Sequence, residues 1–277
     1  MDEFPEILEQ DGLRLRPPTQ SDLPAIASQI NDDRVAPWLA TVTRPFDDAA
    51  ARALLDHGRH PGEHLRLIER NGTRVGGVCL GRGLWFWLAP AFWGNSIMHR
   101  ALTLAIGTRF QQPAPPLIAT CHDENSASRA LLARLGFARS PTGRRMFFHG
   151  KQSSEPCHDH LLTPEQWHLL HPPIIVVGRT RLRPARQVDA ATLALMLPQA
   201  RDGRGLWPEA EGLPTFIETH RFRGPRQGLF MVEDDTLRSV GMALIQRPKP
   251  ALRFLDDTEQ ARHRADAEAA LAIFRAA

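Results

Sequence analysis

The stretch APAFWGNSIMHRAL, residues 89–102, joins the apolar run LWFWL to a run with the apolar spacing of a helix. Gly94 permits a tight turn between the two and a close approach of a ligand to the backbone. The first N–H groups of a helix have no acceptor within the helix and carry partial positive charge. A strand, a glycine turn and a helix in this order therefore predict an anion site that suits a pyrophosphate.

Parts of the chain on either side of this stretch occur twice. LRLRPPTQSD (residues 13–22) recurs as TRLRPARQVD (180–189), the hairpin pattern of residues 67–81 recurs at 231–245, and the strand–turn–helix pattern of 84–106 recurs at 252–274. Only the first copy continues, with the strand PLIATC and the helix NSASRALLARLGF. Self-similarity of this kind predicts a duplicated unit. We expect a first domain at 1–172 and a truncated, degenerate second copy at 173–277, with the boundary near HPPIIVVG (171–178).

Composition restricts the class of protein. The 277 residues carry a net charge of +3 that comes almost entirely from arginine, and they contain no dense basic run, so a nucleic-acid partner is not expected. No apolar stretch is long enough to span a bilayer, and the acidic start MDEFPEILEQ does not have the pattern of a signal peptide. Three widely spaced cysteines favour reduced thiols and a cytoplasmic protein.

Several motifs occur in the order of the GNAT superfamily of acyl-CoA-dependent N-acyltransferases. The chain resembles the Rim-type branch, which contains the ribosomal-protein alanine N-acetyltransferases, in its opening segment LRLRPPTQSDLPAIASQINDDRVAPWL, in FWLAPAFWGNSIMHRAL, in ENSASRALLARLGF and in CHDHLLTPEQW. These segments cover about residues 13–167. The resemblance implies an α/β (α+β) fold in which helices flank a mixed, mostly antiparallel central sheet, with acetyl-CoA as co-substrate.

The resemblance also implies roles for particular residues. Acetyl-CoA would lie between the strands that end near Leu88 and Cys121. The pyrophosphate would be held by backbone N–H groups of Trp93, Gly94, Asn95, Ser96, Ile97 and Met98. Asn125 would bind the pantetheine arm or the nearby backbone, and Ser128 would lie near the thioester sulfur, where it could donate to the leaving thiolate. Both residues also suit the start of a helix, Asn125 as its cap and Ser128 in its first turn.

Three positions depart from the pattern of the family. Ser96 stands where a glycine is usual, Arg100 where a glutamate is usual, and His99 where a threonine is frequent. The corresponding loop of the second copy, EQARHRADAE (259–268), has no glycine at all. We therefore expect the second copy not to bind CoA and to pack against the first domain or to form a homodimer surface.

Acetyl transfer needs a neutral amine, a polarised thioester carbonyl and a proton for the leaving thiolate. The chain contains no tyrosine to act as the acid, which leaves Ser128 or water. The candidates for a base near the strand end are His122, Asp123 and Glu124. His122 has the most suitable intrinsic pKa, although a solvent-exposed loop histidine is the simpler interpretation. A terminal α-amine, with a pKa near ~8, needs little help to lose its proton.

One histidine-rich segment could be read as a metal site. CHDH (157–160), followed by His168 and His171, has the ligand density of such a site, but a closing strand with incidental polar residues is the simpler explanation, and no metal is expected.

Taken together, the sequence predicts an acetyl-CoA-dependent N-acetyltransferase that acts on a primary amine, either a protein N-terminus or a small molecule. The alternatives are a catalytically inactive GNAT-like binding or scaffolding protein and an enzyme with a different acyl-CoA donor.

Overall fold

The computed structural model describes residues 4–112, 114–197, 206–223, 227–245 and 250–272. The chain folds into two compact units. Unit 1 comprises residues 1–109 and 115–163, and unit 2 comprises residues 110–114 and 164–277. The boundary falls nine residues before the one expected from the sequence, so the helix at Pro164–Leu170 belongs to unit 2.

The first sheet of unit 1 has five antiparallel strands in sequence order. They are β1 (Leu8–Gln10), β2 (Leu13–Arg16), β3 (His64–Arg70), β4 (Thr73–Leu80) and β5 (Leu84–Leu88). Helices α1 (Leu23–Ile30) and α2 (Asp48–His57) lie between β2 and β3 in the chain. Their apolar faces pack on this sheet around Ile26, Leu67 and Trp87, which excludes water from the core.

The second sheet of unit 1 follows the helix α3 (Ile97–Arg109). It contains β6 (Leu117–His122), β7 (Ala138–Arg139), β8 (Arg144–Phe148) and β9 (Ser153–Leu162), with helix α4 (Ser126–Arg134) after β6. Strand β9 pairs antiparallel with the other three. Since β5 pairs with β4 and β6 pairs with β9, the two sheets are separate, and a gap opens between β5 and β6.

Unit 2 begins with α5 (Pro164–Leu170) and contains a second five-stranded antiparallel sheet in sequence order. Its strands are β10 (Ile175–Val177), β11 (Thr180–Pro184), β12 (Gly228–Glu233), β13 (Ser239–Ile245) and β14 (Ala251–Phe254). Helices α6 (Ala190–Met196) and α7 (Leu213–Thr219) precede β12, and α8 (Asp257–Ala272) follows β14. The expected fold class, antiparallel sheets flanked by helices, is confirmed.

The repeated sequence RLRP…D forms the same polar cluster in both units. In unit 1, Arg16 donates to both carboxylate oxygens of Asp22 and to Glu69 at 2.7 Å. In unit 2, Arg183 donates to both oxygens of Asp189 and to Glu233 at 2.6 Å. Asp22 and Asp189 each also accept from the backbone N–H three residues earlier, which fixes the turn from strand to helix.

The prediction of a loop at residues 259–268 in the second copy is wrong, because these residues lie inside α8. Alanine, arginine and glutamate are strong helix formers, and no glycine or proline interrupts them. The first turn of α8 contains Asp257 and Glu259, whose negative charges suit a helix N-terminus but repel a phosphate. Across the described residues, no helix combines the length and the apolar character needed to cross a membrane.

Candidate active site

A cleft of about 770 Å³ opens in unit 1 between β5 and β6. Its walls are the end of β5, the turn at residues 92–96, the first turn of α3, the end of β6 and the first turns of α4. It brings together nine of the ten predicted site residues: Leu88, Trp93, Gly94, Ser96, Ile97, Met98, His122, Asn125 and Ser128. The tenth, Asn95, is not among the lining residues, and its side chain donates to the carbonyl of Trp93 at 3.1 Å.

The turn before α3 has the open backbone that the sequence predicts for an anion site. Gly94 has φ +77° and Ser96 has φ +54°, both in the left-handed region. A side chain at Gly94 would meet no atom within 4 Å, so the space beside this backbone is free. The indole N–H of Trp93 donates to the carbonyl of Leu88 at 2.8 Å, which ties the turn to the end of β5.

Helix α3 directs unpaired donors toward the cleft. Its first intrahelical bond runs from the N–H of Arg100 to the carbonyl of Ser96 at 3.0 Å. The N–H groups of Ile97, Met98 and His99 therefore have no acceptor within the helix. The side chains of Ile97 and Met98 are buried and anchor this end of the helix. The arrangement can bind an anion without a dedicated side chain.

Basic side chains add to the positive character of the cleft. Arg82 and Arg134 are both lining residues. Burial lowers the pKa of His99, and the nearby charge of Arg134 lowers it further, so the imidazole of His99 is neutral at pH 7. Arg134 rather than His99 therefore supplies positive charge beside the start of α3.

Asn125 and Ser128 occupy the first turn of α4. The side-chain oxygen of Asn125 accepts from the N–H of Ser128 at 3.0 Å, which makes Asn125 the cap of the helix. The same residue lines the cleft, so the structural and the binding role are compatible. Burial raises the pKa of the Cys121 thiol, and a hydrogen bond with the hydroxyl of Ser128 opposes that rise only in part. Cys121 is thus a neutral thiol beside Ser128, which does not suit a nucleophile.

The environment of His122 differs from the exposed loop position expected from the sequence. His122 is 2% exposed at the end of β6, with Trp38 and Phe148 packed edge-on against its ring. Its Nδ1 accepts from the N–H of Glu124 at 3.0 Å, and its Nε2 lies 2.9 Å from Nζ of Lys151 and 3.6 Å from a carboxylate oxygen of Glu155. Both ring nitrogens therefore have polar partners within the protein, and the base role of His122 stays a prediction.

Sequence reasoning named Glu124 as a candidate beside His122 but did not identify Lys151. The Nζ atom of Lys151 lies 2.9 Å from Nε2 of His122, 3.4 Å from a carboxylate oxygen of Glu124 and 4.9 Å from the ring centre of Trp38. Trp38 lines the cleft together with residues 39–42. The feature of the sequence that could have drawn attention to Lys151 is that the chain contains only one other lysine.

The CHDH segment forms part of β9 and does not assemble a metal site. His158 pairs with Asp123 at 2.7 Å, Asp159 accepts from Thr120 at 2.6 Å, and Cys157 and His160 are buried. Among the described residues, the group with metal-ligating geometry does not include any of these four. The simpler interpretation, a closing strand with incidental polar residues, is therefore the one the structure supports.

Comparisons with known proteins place this site in a family. Residues 12–138 match the model of the acetyltransferase (GNAT) domain. RimJ of Mycobacterium smegmatis, solved in complex with CoA-disulfide, has a similar fold at 21% identity and a TM-score of 0.50, covering 58% of this chain and 84% of RimJ. A candidate acetyltransferase of T. thermophilus matches at 22% identity and a TM-score of 0.51, covering 60% of this chain and 94% of that protein. No curated protein matches the chain in sequence.

Proposed function

Residues 12–138 form an acetyltransferase domain of the GNAT family, and from this premise we propose that the protein transfers an acetyl group from acetyl-CoA to a primary amine in the cleft between β5 and β6. The observation that carries the proposal is the cleft that joins the open turn before α3 to Asn125 and Ser128. The pyrophosphate lies against the N–H groups of residues 94–98, where the partial positive charge of the helix terminus stabilises it. Asn125 contacts the pantetheine arm.

The reaction is a direct attack in a ternary complex. The neutral amine forms a C–N bond to the thioester carbon, and the C–S bond of acetyl-CoA breaks. The hydroxyl of Ser128 gives its proton to the leaving thiolate and regains one from the amine by way of solvent. An α-amine, with a pKa near ~8, is deprotonated often enough near neutral pH to attack without a side-chain base.

The acceptor enters over the segment that contains Trp38. Residues 35 and 38–42 line the cleft together with Trp85 and Met146, so the walls of this end are largely apolar and aromatic. The ring of His122 packs edge-on against Trp38, and Nζ of Lys151 lies over the Trp38 ring, so both contacts keep this ring in place. A protein N-terminus or a small primary amine suits these walls, and a cytoplasmic location agrees with three buried free thiols.

Unit 2 is, in this proposal, a partial second copy that does not bind CoA. Its five-stranded sheet has the strand order of β1–β5, and its Arg183–Asp189–Glu233 cluster repeats Arg16–Asp22–Glu69. The position that corresponds to the open turn is the acidic start of α8, which repels phosphate. Catalysis is therefore assigned to unit 1 alone.

A thermal-shift titration with CoA and acetyl-CoA tests the proposal. A ligand that binds only the folded state stabilises it by about 2.7 kcal/mol at a hundred times Kd, so we expect a saturable rise in Tm. Release of free CoA with peptides that begin with alanine or serine, or with polyamines, then identifies the acceptor class. Absence of any shift at millimolar acetyl-CoA would refute the enzyme and favour a scaffolding protein.

Two glycines provide a matched pair of variants for this titration. Gly94 (φ +77°) and Gly72 (φ +78°) have the same backbone strain on substitution, and an added Cβ meets nothing within 4 Å at either position. Only Gly94 lines the cleft, while Gly72 lies in the β3–β4 turn. Gly94→Leu should abolish the ligand-induced shift in Tm, and Gly72→Leu should lower the basal Tm by a similar amount but keep the shift.

A further inference from the structure

Three potential metal ligands converge in unit 1, outside the cleft. His57 is the last residue of α2, Glu63 lies one residue before β3, and Cys79 lies near the end of β4. Nε2 of His57 and Sγ of Cys79 each lie 3.5 Å from Oε2 of Glu63, and the three ligand atoms all lie within 4.8 Å of one another. Residues far apart in sequence thus present an imidazole, a carboxylate and a thiol to one point.

Two of the three separations between these atoms suit a tetrahedral ion. Tetrahedral Zn²⁺ binds nitrogen, oxygen and sulfur ligands at about 2.0–2.3 Å, which places neighbouring ligand atoms about 3.3–3.8 Å apart. The two separations of 3.5 Å fall in this range. One thiolate and one imidazole favour Zn²⁺ over Ca²⁺ or Mg²⁺, which prefer sets of oxygen ligands.

The surroundings hold the carboxylate of Glu63 in place. Its side chain is 7% exposed, and its ion-pair partner is the imidazole of His57, which has a positive charge only when protonated. The N–H of Arg82 donates to Oε1 at 3.2 Å, which leaves Oε2 directed toward His57 and Cys79. A Cβ at Gly81 would collide with Oε2, so glycine is required there for the carboxylate to occupy this position.

We propose that His57, Glu63 and Cys79 bind one Zn²⁺ ion, with water as the fourth ligand. The side chain of His57 is 46% exposed, which gives the ion a route from solvent. The thiol of Cys79 loses its proton to solvent as it ligates. The ion links the end of α2 to β3 and β4 and, through Glu63 and the N–H of Arg82, stabilises the β4–β5 turn at the rim of the cleft.

Direct metal titration tests the site without reference to acetyl transfer. Full-length protein is treated with a chelator, and Zn²⁺ alone is added against a metallochromic indicator. We expect one ion per chain and a rise in Tm. His57→Gln and Glu63→Gln should each weaken binding at least about tenfold, because even indirect partners of a metal change its affinity 10–100-fold. With Co²⁺, the wild type should show a thiolate-to-metal charge-transfer band that is absent in Cys79→Ser.

Two substitutions in the CHDH segment, which does not have metal-ligating geometry, serve as controls for the variants of Cys79 and His57. Cys157→Ser changes another buried thiol, and His158→Gln another histidine of the same unit, so both should bind Zn²⁺ as the wild type does. If Cys79→Ser does not fold, His57→Gln, at an exposed position, still decides the question. Absence of stoichiometric binding, or unchanged binding by His57→Gln, would overturn the proposal, and neither result depends on whether acetyl-CoA binds in the cleft.

Discussion

At the scale of single residues, Ser96 shows how an unusual residue fits a family motif. The resemblance places a glycine here, and the structure gives Ser96 φ +54°. A residue with a Cβ loses about 1–2 kcal/mol in this conformation relative to the right-handed one. Strain of this kind is often found at functional turns, and Ser96 lines the cleft.

Ser96→Gly should relieve this strain. We expect the free energy of unfolding to rise by roughly 0.5–1 kcal/mol, since the gain at positive φ exceeds the entropy that glycine adds to the unfolded chain. Urea denaturation measures the change. Ser126→Gly, at the first position of α4 where φ is helical, should be destabilising instead. Equal effects of the two substitutions would exclude backbone strain as the cause.

Alanine variants of Ser128 and Ser126 distinguish a catalytic role from a position that merely lines the cleft. Both serines line the cleft in the first turn of α4, but only Ser128 has its hydroxyl beside Cys121. Ser128→Ala should lower kcat about 10²-fold or more, as expected for loss of a general acid, with little change in KM for acetyl-CoA. Ser126→Ala should leave kcat within about twofold. A small effect of Ser128→Ala would assign the proton to water.

At the scale of elements, the turn from strand to helix is fixed by an arginine–aspartate pair in each unit. The side chain of Asp22 is fully buried, and Arg16, Arg74 and Thr19 all donate to it. Burial opposes ionisation, but the donors prevail and hold the pKa of Asp22 far below its usual range. The same balance lowers the pKa of Asp189 in unit 2. Two short segments of similar sequence therefore form similar turns.

Removal of either aspartate should destabilise its own unit. Asp22→Ala leaves the guanidinium of Arg16 partly buried without its main partner, and Asp189→Ala does the same to Arg183. Loss of one partner of a buried pair costs about 3–5 kcal/mol, and we expect about 3 kcal/mol because both arginines are partly exposed. Chemical denaturation followed by hydrogen exchange in β3 and β12 measures each loss. Asp33→Ala, at an exposed pair, serves as the control.

At the scale of the whole molecule, stability should depend on pH through two buried histidines and one half-buried histidine. Burial is the main cause that lowers the pKa of His99 and His160 in unit 1 and of His168 in unit 2. Above pH ~6.5 these groups are neutral in both states, and below it the unfolded chain binds protons that the folded chain does not. The stability contributed by the neutral rings is therefore lost as the pH falls.

Between pH 7.5 and 5.5 the free energy of unfolding should fall by on the order of 1 kcal/mol or more. Urea denaturation at the two pH values measures this change. His168→Gln, which can still donate to the carbonyl of Phe110, should reduce the fall. A rise in stability toward pH 5.5 would contradict the direction of these pKa shifts.

Ligand binding should change the hydrogen exchange of unit 1 and leave that of unit 2 unchanged. All residues that line the cleft belong to unit 1. Hydrogen exchange with saturating acetyl-CoA should therefore show new protection at the start of α3, the end of β6 and the start of α4. Strands β12 and β13 of unit 2 should exchange at unchanged rates. Strong protection in unit 2 would contradict the assignment of CoA binding to unit 1.

The sequence by itself determined the elements around the cleft. LWFWL, the glycine turn and the helix after it are local signals, since strand pattern, backbone freedom and helix periodicity depend on near neighbours. The order of motifs was enough to predict a GNAT domain, and residues 12–138 match the model of that domain. The repeated RLRP…D segments likewise predicted two similar turns.

Only the tertiary structure decided which side chains meet and which of them are buried. His122 is buried and accepts at Nδ1, although its position in the sequence resembles that of an exposed loop residue. The dense CHDH segment alternates along a strand and disperses its side chains, whereas His57, Glu63 and Cys79 converge from a helix end, a loop and a strand. Burial and convergence depend on long-range packing, which a local pattern of residues does not contain.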